Sequence, residues 1–102
     1  MLNTINTNIT EALKYNTFVG ADQIDKNEDN YSLEGKIAPR VHNEGEVDVI
    51  ILNVTVKPGE MFNLSATPIP MSGNIPIHFN ESQAGIKKLV VMYNTIKLKK
   101  DC

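Results

Sequence analysis

From Tyr31 onward, apolar and polar residues alternate with period two, and that period predicts β-strands. Tyr31, Leu33, Gly35 and Ile37 alternate with Ser32, Glu34 and Lys36. This is a half-buried strand that Pro39 ends or confines to a sheet edge. His42-Asn43-Glu44-Gly45 reads as a turn. Glu46 to Val56 is the strongest run, with Val47, Val49 and Ile51 on one face and Ile50, Leu52, Val54 and Val56 on the other. Its apolar phase changes near Ile50–Leu52, as a strand covered on both faces or a β-bulge would require. Lys57-Pro58-Gly59-Glu60 carries the Pro-Gly signature of a type II turn. Phe62, Leu64 and Ala66 then share a face, which predicts a strand over 61–66 antiparallel to 46–56. Three prolines exclude a central strand over 67–76, while Ile75, Ile77 and Phe79 suggest a short strand beside Pro76. After a polar turn over Asn80–Gly85, Ile86–Leu98 forms the last long strand. Val90, Met92, Ile96 and Leu98 lie on one of its faces, Leu89, Val91 and Tyr93 on the other.

The first thirty residues differ. Positions 3–10 are a polar Asn/Thr-rich arm, and Asn8 with Glu11 forms a variant capping box ahead of Ile9, Ala12 and Leu13. A two-turn helix over 9–16 follows, too short to be stable unless it docks on something. Residues 22–30 read as a solvated acidic loop. The expected fold is therefore all-β: an antiparallel β-sandwich, Ig-like or jelly-roll-like, of about five to seven strands. A short N-terminal arm and helix over 1–20 precedes a sandwich domain over 21–102. The absence of crossover helices excludes a parallel α/β sheet.

Composition removes several function classes. The chain has 102 residues, 10 Lys and Arg against 12 Asp and Glu, and one cysteine at position 102. The near-balanced charge argues against nucleic acid. No apolar run approaches the roughly 20 residues of a membrane span. Met1-Leu2-Asn3-Thr4 lacks the basic and apolar regions of a signal peptide. One cysteine makes neither an intrachain disulfide nor a cysteine zinc site. His42 and His78 are the only imidazoles, neither sits in a catalytic motif, and the glycines are scattered singly. The acids between Asp22 and Asp29 lack the alternation and central glycine of a calcium loop. No enzyme activity, cofactor or metal is expected. Five Asn-x-Ser/Thr sequons, at Asn8, Asn30, Asn53, Asn63 and Asn80, are what a chain with 12 Asn gives by chance. Residues 1–60 carry ten acids against five bases, and 61–102 two acids against five lysines. Unlike charged surfaces of that kind favour head-to-tail assembly if the two parts stay separate in space.

Three features point to protein partners: the arm over 1–20, the Pro-stiffened apolar loop Thr67–Pro76, and the surplus apolar residues on the second faces of 46–56 and 86–98. The expected contact residues are Ile5, Ile9, Leu13, Phe18, Ile69 and Met71.

The Asn/Thr-rich arm, the small helix and the Val/Ile-rich β domain together resemble small virion proteins of tailed bacteriophages, of the capsid-decoration, head-fibre or adaptor type. The Asn-, Ile- and Lys-rich composition with a single Arg resembles phages of AT-rich hosts, including crAss-like phages. The resemblance implies a non-enzymatic structural protein made in the host cytoplasm and built into the virion. It would oligomerise and grip capsid or neighbouring subunits through its arm. The alternatives are a carbohydrate- or host-ligand-binding β module and a small phage inhibitor of a host protein.

Overall fold

The computed structural model describes residues 15–98, with side chains from Phe18 to Ile96. Over these residues the protein is all-β, with eight antiparallel strands in two four-stranded sheets. They are β1 (Tyr15–Ile24), β2 (Glu28–Ser32), β3 (Ile37–Asn43), β4 (Val49–Ile51), β5 (Val54–Val56), β6 (Met61–Asn63), β7 (Asn74–Phe79) and β8 (Leu89–Leu98). The first sheet has the order β1-β8-β3-β6 and the second β2-β7-β4-β5. The pairings are nested, β4 with β5, β3 with β6, β2 with β7 and β1 with β8. The chain is one long hairpin, tipped between β4 and β5, whose two arms cross together from sheet to sheet. That is jelly-roll order, one of the two sandwich types expected.

The core lies between the sheets. Val41, Leu89 and Val91 meet Val49, Ile51, Val56 and Ile77, each essentially inaccessible to solvent. Each such side chain contributes about 1.5–3 kcal/mol of burial. Val47, in the β3–β4 crossing, and Leu33, beside β2, close the two ends of this layer.

Where both arms leave one sheet for the other, backbone groups lose their ladder partners. Asn43, wholly buried, replaces them. Its Nδ2 donates to the carbonyls of Val47 (2.8 Å) and Val56 (2.9 Å), and its Oδ1 accepts from the Gly45 amide (3.0 Å). Its own backbone bonds Glu60 and Gly59. One amide side chain thus ties the β3–β4 crossing to the β5–β6 crossing. The first crossing is also clamped to the β7–β8 segment, because Glu44 N donates to Lys88 O and Glu46 N to Ile86 O. Gly45 sits in that clamp with no room for a side chain.

Several sequence expectations are corrected. Glu46–Val56 is not one strand. Leu52 and Asn53 both have positive φ (51° and 64°) and make a two-residue hairpin turn between β4 and β5. The apolar phase change at Ile50–Leu52 marks that reversal. The 61–66 strand does not neighbour 46–56, since β6 pairs with β3 in the opposite sheet. The type II turn at 57–60 is present, with Glu60 N bonded to Lys57 O and Gly59 at φ 86°, but it joins sheets rather than hairpin partners.

The expected 31–37 strand breaks at a turn around Gly35, and Pro39 is buried inside β3, an interior strand. Two residues there, Ala38 and Pro39, oppose the single Tyr93, because Ile37 pairs with Asn94 and Arg40 with Met92. Pro76 in β7 has the same device. Asp29 and Asn30 oppose it alone, since Glu28 pairs with Ile77 and Tyr31 with Ile75. Both strand prolines therefore sit opposite or within a bulge, where a missing N–H costs least.

Residues 22–30 are not a loop, since Asp22–Ile24 ends β1 and Glu28 opens β2. Tyr15 and Asn16 belong to β1, which excludes them from the helix expected over 9–16, and β1 carries the first sheet across the boundary expected at residue 21. The rest of that helix and the arm lie outside the described residues. β8 is an interior strand, between β1 and β3. The acidic and basic parts of the sequence also interleave, because β7 and β8 lie between strands of the first part.

The open side between β1 and β2 is bridged by a polar cluster. Asp22 of β1 accepts a hydrogen bond from Tyr31 of β2 at 2.5 Å and one from Tyr93 of β8 at 3.5 Å. Lys36 Nζ lies over both rings, 5.2 and 4.7 Å from their centroids. The Tyr93 ring covers Gly20, its cross-strand partner, where a Cβ would overlap it.

Burial first, then the Asp22 carboxylate, pushes the Tyr31 phenol above its ordinary range, and Tyr93 shifts the same way for the same reasons. The fold thus prefers the neutral phenols. Their contribution is complete below about pH 10, where unfolded-chain tyrosine ionises, and falls as pH rises beyond it. Urea unfolding between about pH 8 and pH 11 is expected to show this decline. Tyr31→Phe is expected to cost about 1 kcal/mol at neutral pH and to flatten the decline. An equally steep decline in the variant would remove the Tyr31–Asp22 bond as its cause.

Candidate docking face

The outer face of the second sheet carries the clearest concavity. On β4, Val49 and Ile51 turn inward, so Ile50 turns outward and is 40% exposed. On β7, Ile75, Ile77 and Phe79 turn inward, so Pro76 and His78 turn outward. Ile50 stands directly opposite His78. The β4–β5 turn adds Leu52, 51% exposed, and Asn53. These five residues line a shallow depression of about 330 Å3.

Leu52 is notable for its backbone. A left-handed conformation costs a non-glycine residue about 1–2 kcal/mol, and two-residue hairpin turns favour Asn-Gly or Asp-Gly. Leu-Asn is a poor local choice, yet it places an apolar side chain at the rim of the depression. His78 borders the same surface, its Nε2 2.9 Å from Asp29 Oδ1 across the β2 bulge. Among the described residues, no nucleophile is hydrogen-bonded to either ring, and His42 pairs with Glu44 at 3.3 Å on the first sheet. His42 lies in β3 rather than in the expected turn.

A second apolar surface covers the outer face of the first sheet. Val19 is 76% exposed on β1, Ala21 beside it is exposed, and Ala21 stands opposite Met92 of β8. Met61 on β6 is also exposed and stands opposite His42. The surplus apolar residues of 46–56 and 86–98 thus correspond in part to real outer surface: Ile50 on one sheet with Leu52 in its β4–β5 turn, Ile96 with half-buried Val90 and Met92 on the other.

The six expected contact residues do not gather in the depression. Ile5, Ile9 and Leu13 lie outside the described residues. Phe18 is partly exposed on β1, Ile69 is exposed at 65% in the β6–β7 connection, and Met71 packs against the core. Met71 is fixed there by backbone bonds to Lys36 and Gly35, so that loop caps the sandwich at one point and presents an apolar residue at another. The sequence signal for Ile50 and Leu52 was their wrong-phase apolarity. Pro76 gave none, because a proline reads as a strand breaker.

Charges at the crossing end are mostly acidic, including Asp25, Glu46, Asp48 and Glu60. Lys87 meets Glu81 at 2.9 Å and Lys88 meets Glu44 at 3.4 Å. The Lys87 ammonium, through its hydrogen bond, holds the Glu81 carboxyl below the ordinary range. Such exposed pairs contribute little stability. Among the described residues, no group of three or more His, Cys, Asp or Glu could hold a metal ion. No helix among them is long and apolar enough to cross a membrane. No protein-family model, curated protein or solved structure matches the chain.

Proposed function

We propose that this is a non-enzymatic assembly protein, a jelly-roll unit that docks on a larger particle through apolar outer faces of its sheets. The observation that carries the reading is the depression formed by Ile50, Leu52 and Pro76. Apolar side chains there face solvent, and one of them sits in a strained backbone position that a free-standing hairpin would not select. Strain of this kind tends to cluster where a surface has work to do. The setting we propose is the virion of a tailed phage. What supports it is the compositional resemblance together with the strand order, since jelly rolls serve as viral capsid subunits. The latter is analogy at the level of fold. Jelly rolls also serve as lectins, but Tyr31 and Tyr93 are engaged with Asp22 and Lys36, and Phe79 is in the core. Little aromatic surface remains among the described residues for stacking on sugar rings.

The test separates docking from folding. Leu52→Asn combined with Asn53→Gly installs the favoured turn pair and removes the exposed leucine. The domain is expected to become about 1 kcal/mol more stable while its attachment weakens about tenfold, the scale of one leucine left unburied. The readout is the tagged chain recovered with density-gradient-purified particles from cells producing both. Undiminished attachment would overturn the docking face. Absence of the unaltered chain from the particles would overturn the virion setting.

A further inference from the structure

The polar cluster that bridges β1 and β2 is also built to hold a cation. Lys36 Nζ lies 4.7 Å from the Tyr93 centroid and 5.2 Å from that of Tyr31. A ring face attracts a cation within about 6 Å. Both rings are positioned without help from the lysine. The Tyr31 hydroxyl donates to the Asp22 carboxylate at 2.5 Å and the Tyr93 hydroxyl to the same carboxylate at 3.5 Å. The Tyr93 ring also fills the space over Gly20 that a Cβ would take. Donation to a carboxylate enriches both rings in electron density and so strengthens their hold on positive charge. The Lys36 side chain is held more lightly. Its backbone is fixed by bonds to Leu33 and Met71. Among the described residues, its ammonium has one hydrogen-bond acceptor, the Ser32 carbonyl at 2.9 Å, and no carboxylate partner. Lys36, Tyr31 and Tyr93 are all half-buried, so the slot between the rings reaches solvent.

We propose that this slot binds a trimethylammonium group, which enters by displacing the Lys36 side chain. Hydration decides between the two cations. A primary ammonium is compact and strongly hydrated, and its N–H donors meet a single carbonyl here. A trimethylammonium has no donor to satisfy, is weakly hydrated, and presents its charge through methyl groups that pack on ring faces. An unmethylated lysine from a partner would gain nothing over Lys36, which is already tethered beside the rings. The path of the Lys36 stem shows what the slot takes: an alkyl chain that ends in a cation. Choline and trimethylated lysine share that form. The site lies between the sheets, apart from the docking depression on the outer face of the second sheet, and the two stand or fall separately.

The test is a titration of choline into the full chain, followed through the NMR ring-proton signals of Tyr31 and Tyr93. Binding is expected in roughly the millimolar range, because choline competes with a side chain tethered at about that effective concentration. Lys36→Ala removes the competitor and is expected to bind choline about tenfold more tightly. The neutral tert-butyl analogue of choline has the same shape without the charge, and it should leave the signals unmoved, as should sodium chloride at the same concentration. Trimethylated lysine, as its capped amide, separates the two sources. Tighter binding than choline assigns a protein side chain, and weaker binding a small choline-type molecule. Equal shifts with the tert-butyl analogue would overturn the inference, by making the slot merely apolar. Binding confined to Lys36→Ala would overturn it, by making Lys36 a permanent part of the fold. An affinity no higher in Lys36→Ala than in the wild type would overturn it, by placing choline elsewhere, and so would unmoved signals in both proteins. The wild-type titration with its neutral control decides the matter even if Lys36→Ala fails to fold.

Discussion

Asn43→Ala is expected to lower stability by about 3 kcal/mol, enough to remove a large share of a small domain's total. The side chain holds three backbone groups at the point where both arms of the long hairpin change sheets. Truncation leaves the Val47 and Val56 carbonyls and the Gly45 amide without partners in a site closed to water. Each such group costs about 1–3 kcal/mol when buried alone, and partial relaxation brings the sum down. The corresponding fall in Tm is about 15 °C. Asn43→Asp keeps the shape but loses the donor, and aims a carboxylate at two carbonyls. The neutral acid is then the form the fold prefers, so the penalty of this variant is expected to grow as pH rises above about 4. Urea unfolding of both variants at acidic and neutral pH checks this. An Asn43→Ala loss below about 1 kcal/mol would mean that water or backbone movement replaces the amide.

Gly45→Ala is the second large effect. A Cβ at this position would lie 2.5 Å from Ile86 O and 2.7 Å from Lys88 N. Both are backbone atoms, and both belong to the segment that Glu44 and Glu46 grip. Neither can rotate away as a side chain would, so the two crossings must separate. The expected cost is about 2–3 kcal/mol, the range of an overpacked site. Gly35→Ala makes a useful contrast, because nothing stands within 4 Å of its Cβ position and only its positive φ of 74° resists the change. Its cost is expected near 1 kcal/mol. Equal losses in the two variants would show that backbone conformation, not the clamp, governs Gly45.

The sequence made the fold class legible and the topology mostly illegible, for identifiable reasons. Alternation around Ile75–Phe79 and Leu89–Tyr93 reported inward and outward faces correctly, because those strands pack one face on the core. The same alternation ran through Leu52-Asn53 without pause. Leu is not a usual turn former, and Asn53 is followed by valine rather than the glycine such turns favour, so the tip of the whole hairpin looked like the middle of a strand. Asp22–Asn30 failed the other way. Edge strands tolerate polar residues, and Asp22 is polar because it bridges two tyrosines from another strand and another sheet, a partnership that local spacing cannot show. Asn43 was legible only as a turn residue. Its role depends on Val56, thirteen positions on, and on Glu60 beyond that. The excess apolarity of 46–56 did locate Ile50 and Leu52, but not the face they share with Pro76.

The nested pairing also sets an order in time. β4 and β5 meet across two residues, whereas β1 finds its partner among the described strands in β8, at the far end of the described chain. On a ribosome, the first of these strands to emerge is the last to be satisfied. Until Leu89–Leu98 is synthesised, the edge of Tyr15–Ile24 that pairs with it stays open, and nascent chains on one message carry that same strand, with Asp22 its one charged residue, side by side. Open strand edges are where incompletely folded chains misassociate. The segment that completes the sheet is thus the one most dependent on the whole chain being released.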